Sequence, residues 1–343
     1  MPFVGNTDLD WSVSVGTDGG NREDLTDVIT NIQRTMTPFL SSFQRGPNAT
    51  ATLHEWLADI IEQPTAVQAT PEVTDATFAA TLDPQRLFNN THIMRKTLEV
   101  SDTQEAVRKA GRASEIQYRQ LKRFKELARQ TEFNLIFSTF NNQTQTGNAV
   151  TSPLDDARRM AGIREYLGND PAGQTLTTDF EGTEQGTTFS PREFLTEGRF
   201  NNFLQAIWDN HGMPNTIWVN SVQKRIISTF DGGTTRNIDM ITKRITNMVS
   251  IYESDFGVLS IHLHDLVSQT DLYALQMEMW ALSWLRGTVS EVLARIGNTT
   301  KIMIEHELTL EARAPNSSGR MFDLSDQFAA GGGNEGTPPT YDP

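Results

Sequence analysis

The spacing of apolar residues changes several times along this chain, and each change marks an element. Over 102–140, Ala106, Ala110, Ala113, Leu121, Phe124 and Ala128 fall mostly at steps of three and four. That spacing predicts one long helix, capped by Asp102 or Thr103 and about 50 Å long at 1.5 Å per residue. From 241 the period shortens to two, and "ITKRITNMVSIYES", "GVLSIHLHDL" and "KIMIEHELTLEAR" read as strands. Two more strand-like runs, "NATATLHEWLADII" (48–61) and "NNTHIMRKTLEVS" (89–101), flank 27 residues that hold three prolines and few large apolar side chains. A structureless loop of that length is unusual inside a compact domain, so the segment predicts a two-stranded hairpin projecting from the body. A lone hairpin is marginal in water, and this one is expected to lie on a partner.

Shorter patterns fill the rest. "LTDVITNIQRTMTPFLSSF" (25–43) predicts a short helix stopped near Pro38, within a polar, Gly-rich arm. "SPLDDARRMAGIREYLG" (152–168) predicts another. "SPREFLTEGRFNNFLQAIWDNHG" (190–212) opens on Ser-Pro-x-Glu, which predicts a capped helix with Pro in its first turn, ending at Gly212. A strand (216–220) and a short helix (221–230) follow. The tail after 325 has a composition typical of disorder. The layout predicts an α+β protein with appendages.

Composition narrows the function. The 343 residues carry 43 Asp and Glu against 29 Lys and Arg, a formal charge of −14, which argues against tight binding to phosphate backbones. The long helix contrasts with the whole, holding eight Lys or Arg against four Glu between 105 and 132. Such a run reads first as a solvated face, and otherwise as a strut for acidic neighbours or nucleic acid. Cysteine is absent, which excludes disulfides, thiolate metal sites and a Cys nucleophile. No signal-peptide pattern opens the chain, and no run of about 18 apolar residues predicts a membrane span.

The strongest hint of chemistry is "GVLSIHLHDLV" (257–267). On a pleated strand Val258, Ser260, His262, His264 and Leu266 share one face, while Leu259, Ile261 and Leu263 point to the core. His262 and His264 therefore face one way, as metal ligands would. Asp265 follows at once on the opposite face, so further ligands would have to come from afar. The favoured reading is a half-exposed or interface strand, with a metal-dependent hydrolase using His262 and His264 as the alternative. His306 shares a face with Ile304, Leu308 and Leu310 and is expected to pack. His54-Glu55 lacks the second His of a zinc-protease helix, and Gly331, Gly333 and Gly336 match a dinucleotide motif only in a low-complexity tail. No catalytic residue, cofactor or metal is assigned.

Four stretches carry a resemblance: "TMTPFLSSFQRG" (35–46), "TLHEWLADII" (52–61), the run from Thr91 to Ile136, and "IEHELTLEARAPNSSGRMFDL" (304–324). Their wording and order resemble the major capsid proteins of tailed bacteriophages, whose Hong Kong-type coat fold is shared with encapsulin shells. The resemblance implies an N-terminal arm (1–48), an extended loop (49–101), a peripheral domain with a spine helix (102–152), an axial domain (153–285), peripheral return strands (286–325) and a tail (326–343). It implies a non-enzymatic virion shell protein, assembled in the host bacterial cytoplasm from hexamers and pentamers of this chain around double-stranded DNA. Contact with that DNA would be weak and non-specific, the wall repelling it modestly. Portal, scaffolding and cement proteins are further implied partners, and an encapsulin-like compartment is the close alternative. The acidic loop residues Glu62, Glu72, Asp75 and Asp83 would face the basic helix residues Arg108, Lys109, Arg112, Arg119, Lys122 and Arg123 of a neighbour. His262 and His264 would line a capsomer contact whose titration, at about pH 6–7, tunes assembly. Some relatives staple subunits by isopeptide bonds from a loop lysine; here no lysine precedes Lys96, so that chemistry is not expected.

Overall fold

Proline opens the first helix instead of ending it. α1 (Pro38–Ser42) starts on Pro38, where a missing N–H costs no helical hydrogen bond. The computed structural model describes residues 34–59, 83–109, 111–141, 157–168, 192–230 and 250–326, with a few isolated residues and short strands between them. The arm before 34, most of the hairpin tip and the tail beyond 326 lie outside the described residues, so the expectations for them are not addressed.

The chain runs from α1 through β1 (Gln44–Arg45), β2 (Leu53–Ala58), β3 (Gln85–Asn90) and β4 (His92–Ser101) to α2 (Asp102–Ala106) and α3 (Glu115–Phe137). It continues with α4 (Ile163–Tyr166), β5 (Thr183–Gln185), α5 (Glu197–Asp209), β6 (Thr216–Val219), α6 (Ser221–Ile227), β7 (Ile238–Asp239), β8 (Arg244–Ile245), β9 (Ile251–Ser254) and β10 (Gly257–Leu263). β11 (Leu272–Leu275), β12 (Trp280–Val292), β13 (Thr299–Ala312) and β14 (Gly319–Met321) complete it.

The expected long helix is two helices. Ser101 caps α2 through its hydroxyl, and Ser114 caps α3 in the same way. Between them Gly111 takes φ +71°, which ends any helical continuation. Glu105, on α2, accepts hydrogen bonds from the N–H groups of Glu115 (2.8 Å) and Ile116 (3.3 Å), so the first helix caps the second. α5 starts six residues later than a cap at Ser190 suggests, because Thr196 supplies its cap. The left-handed residue after α5 is His211 (φ 67°), one position before Gly212. In 152–168 the described helix is α4 alone, entered at Gly162.

Two sheets organise these elements. The first has the order β1-β12-β13-β4, and the second β5-β14-β11-β6-β10-β9. β2 and β3 pair as the base of the expected hairpin, Leu53 opposite Asn90 and Ala58 opposite Gln85. The second expected run divides at Thr91. Residues before it belong to the hairpin, and those after it form β4 against β13. β11 and the long β12 have no counterpart in the sequence reading. The expected boundary at 285/286 falls inside β12, and Gly319–Met321, grouped with the return strands, joins the six-stranded sheet.

Alternation along the strands builds two cores. Ile217, Val219, Leu272 and Ala274 turn to α5 and α6, together with Phe200, Phe203 and Ile207. Trp218, Tyr273 and Leu275 turn the other way and join Phe39, Trp280, Leu127, Leu135 and Ile136 beneath α3. Where α5 crosses β14 there is room only for glycine: a Cβ on Gly319 would lie 2.7 Å from Ile207 Cδ1. Among the described residues no helix is long and apolar enough to cross a membrane.

Candidate functional site: the assembly surfaces

The histidine strand is where the structure departs most from its sequence. Leu259 and Ile261 are buried as expected, but β10 ends at Leu263, whose side chain is 54% exposed instead of facing the core. Pairing with β6 continues to His264, whose N–H donates to Val219 O at 2.9 Å, and both histidines lie on the Trp218 face of the sheet as expected. His264 is buried, with Nε2 2.8 Å from Glu132 Oε1, while its Nδ1 accepts the N–H of Leu266 at 3.1 Å. Those partners assign the proton to Nε2 and leave both ring nitrogens occupied. His262 is exposed and stacks on Trp218 at 4.8 Å, while buried His264 meets the same indole edge-on at 6.1 Å. Partial burial of the ring, then neighbouring Lys224, hold the His262 pKa below its usual value. No group of three His, Asp or Glu able to hold a metal occurs among the described residues.

Glu132 is a residue the sequence did not single out. Its carboxylate receives the N–H of Phe39 (2.7 Å) and Leu40 (2.9 Å) as well as His264 Nε2. Thr37, the N-cap of α1, makes no side-chain cap. Glu132 therefore satisfies the start of that helix from α3, in a fully buried position. Phe39 stacks on His264 (4.8 Å) and packs on Trp218 (4.7 Å). Arg129, one helical turn away, pairs with Asp265 at 2.8 Å. Arm, spine helix and six-stranded sheet thus meet in one knot. A carboxylate at a position of a helix otherwise buried by Leu127, Thr131 and Leu135 was its only visible sign.

The outer face of β13 holds a second network. Glu305, Glu307 and Glu311 alternate with Ile304, His306, Leu308 and Leu310, which face α3. Glu305 pairs with Arg95 on β4 (2.7 Å) and Arg286 on β12 (2.8 Å). Glu307 pairs with Arg286 at 3.0 Å and also with Arg158, and accepts the Thr91 hydroxyl at 2.7 Å. Glu311 receives Ser283 (3.0 Å), Arg313 (2.9 Å) and His54 (3.5 Å). Burial raises its pKa, but these donors outweigh that and lower it to about 2. On the inner face, burial lowers His306 to about 4 and also His92, where Arg159 and His306 add to it. The hairpin base is fastened to this sheet by Trp56 Nε1 donating to Ala312 O at 3.0 Å. Asn89 adds a buried staple, donating to Leu310 O (2.7 Å) and accepting from Ala161 N (2.8 Å).

The charged candidates divide by position. Glu72, Asp75 and Asp83 are exposed, and Glu62 lies outside the described residues. Arg108, Lys109 and Arg112, expected on the helix, lie in the segment between α2 and α3; Arg112 and Arg119 both pair with Glu115, Arg123 with Glu126 (2.6 Å) and Lys109 with Glu105 (3.4 Å). Burial raises the Glu115 carboxyl, and the two arginines more than offset it, so it stays below its usual range. Arg108 and Lys122 are exposed with no ion pair recorded among the described residues. Between the first half of α3 and the strands β4 and β13 lies a cavity of about 770 Å³, lined by Arg112, Tyr118, Arg119, Lys122, Arg123 and Lys301 among others.

The comparisons with known proteins agree with this geometry. The cyanophage A-1(L) capsid protein superimposes with a TM-score of 0.62 at 14% identity, over 89% of this chain and 97% of that one. The capsid of a native GTA particle gives 0.57 at 10% identity, over 92% and 100%. An encapsulin complex from Synechococcus elongatus PCC 7942 gives a lower 0.51 at 8%, over 91% and 95%. Identities this low show the coat fold alone. No curated protein sequence matches the chain. The model of the SU10 major capsid protein family, however, matches residues 6–325. That match covers α1 held by Glu132, the hairpin base over β13 and α3 on the four-stranded sheet, and this chain belongs to the SU10 major capsid protein family.

Proposed function

We propose that the chain tiles a closed phage head as hexamers and pentamers around double-stranded DNA, each copy reaching its neighbour through the hairpin of residues 53–90. Its structural parts follow from the two sheets: α3 with the four-stranded sheet as the peripheral domain, and α5 and α6 on the six-stranded sheet as the axial one. The observation that carries this reading is the hairpin itself. Its base is fixed by Trp56 and Asn89, while Glu72, Asp75 and Asp83 beyond that base are exposed, so its outer part has carboxylates to offer another subunit. A cavity edged by basic side chains on the spine helix suits them. Arg108 and Lys122 are the charges to bet on, because Lys109, Arg112, Arg119 and Arg123 already have intrachain partners. Contacts of this kind set register more than affinity.

The net charge of −14 suits a wall that holds packaged DNA only weakly, and assembly in the host cytoplasm with portal, scaffolding and cement proteins completes the reading. Electron microscopy of the purified chain tests it: shells or capsomers are expected, and a monodisperse monomer overturns it. Nuclease-resistant DNA inside native particles separates a phage head from an encapsulin-like compartment, which would hold protein cargo. For the hairpin contact, Lys122→Glu should block capsomer formation and Asp75→Lys should restore it. No rescue by any of Glu72→Lys, Asp75→Lys or Asp83→Lys would break the assignment.

A further inference from the structure

Buried residues line one side of the second half of α3, yet its other side is not wholly polar. Phe133 is 45% exposed there and stacks on half-buried Phe137 at 4.9 Å. The two rings lie one turn apart, in a row of four-residue steps that also holds Arg129. A single exposed apolar side chain needs no explanation, but a stacked aromatic pair on one helix row is a surface to be covered. The arm enters the body beside this row. The N–H groups of Phe39 and Leu40 end on Glu132, the residue before Phe133. Met36 O accepts Arg129 Nη1 at 3.4 Å, and the Met36 side chain is 59% exposed.

We propose that residues 25–32 of the same chain cover this row as an amphipathic helix running antiparallel to α3. The sequence supplies the face: Leu25, Val28, Ile29 and Ile32 recur at helical steps, with Thr26, Asp27, Thr30 and Asn31 between them. Thr37 separates this segment from α1, since it precedes proline and takes φ −132° and ψ 69°. So short a helix is marginal alone in water, and its stripe needs an apolar surface. The chain's own spine helix offers one at high effective concentration, because only four positions separate Ile32 from Met36. Side-chain matching selects the direction. With Met36 at Arg129, antiparallel steps of four bring Ile32 to Phe133 and Val28 to Phe137. The parallel direction would set Ile32 on exposed Lys125 instead. This contact lies within one chain and holds whether or not the chain forms shells.

The absence of cysteine makes the test clean. Ile32→Cys is combined with Gln130→Cys, which leaves both phenylalanine rings in place, and the dilute, unassembled full chain is treated with a short bis-maleimide. A link within one polypeptide is expected, located by peptide mass mapping. Ile32→Cys with Lys125→Cys should link about tenfold less. Phe133→Asp should speed tryptic cleavage after Arg34 about tenfold at an unchanged melting temperature, and Phe133→Leu should keep the original rate. No link to position 130, a preferred link to position 125, or links only between chains would each overturn the proposal. A cleavage rate that Phe133→Asp leaves unchanged overturns it as well. Failure of the unmodified chain to form shells bears on the shell reading alone, so the two failures are distinguishable.

Discussion

The two halves of the spine helix live in different surroundings. In the second half Leu127, Thr131, Glu132, Leu135 and Ile136 are buried, and Thr131 Oγ1 lies 3.0 Å from His306 Nε2. In the first half Leu121 is 64% exposed and Arg119 and Lys122 face solvent, with their neighbours held in pairs and triplets of charge. One helix is thus a core element at one end and an exposed, charged surface at the other. The difference teaches where substitutions should act on folding and where on assembly.

The largest expected effect is acid. His92 and His306, neutral in the fold with pKa values lowered to about 4, take up protons near pH 6.5 once unfolded. Their contribution is complete above pH 6.5 and is lost as pH falls to about 4, on the order of 3 kcal/mol for each site considered alone. Glu311, ordinarily near 4.5 and here about 2, extends the loss below pH 4.5. Denaturant unfolding of the unassembled chain from pH 7 to 3 checks this, and a flat profile would refute the buried pair.

Next is Glu132→Ala, which strands the N–H groups of Phe39 and Leu40 and the His264 Nε2–H in the core. A loss of about 3 kcal/mol is expected, together with faster proteolysis of the arm. Stability within experimental error of the unmodified chain would show that water replaces the carboxylate. Leu135→Ala, removing a fully buried side chain, should cost a similar or slightly smaller amount, about 2–3 kcal/mol. Smallest is Lys122→Ala. Unfolding should move by less than about 0.5 kcal/mol, while assembly slows and its salt dependence weakens. A stability loss as large as that of Leu135→Ala would erase the contrast between the halves.

Much of this was legible without coordinates, for reasons particular residues make plain. β13 was readable because period two over Ile302 to Ala312 matches a pleat, and the same alternation held the glutamate stripe, unread. The break before α3 was also written in the chain, as Gly111 followed by Ser114 and Glu115. The three- and four-residue steps ran across it only because Ala106 and Ala113 happened to fall in phase. β12 was not legible, since Trp280, Ala281, Leu282 and Ser283 are all buried while Arg286 to Val292 are all exposed. A strand covered on both sides at one end and bare at the other shows no period.

The sequence by itself determined the family, the order of arm, hairpin, spine helix and strands, and the absence of thiol chemistry. These depend on local spacing and on which residue types are present. Only the tertiary structure decided that His264 is buried against Glu132 while His262 stays exposed, and that a carboxylate on α3 caps a helix 93 positions earlier. It also decided which basic side chains are already spent on Glu105, Glu115 and Glu126. Such pairings are made across the fold, where satisfying every buried donor outweighs the preferences of neighbours along the chain.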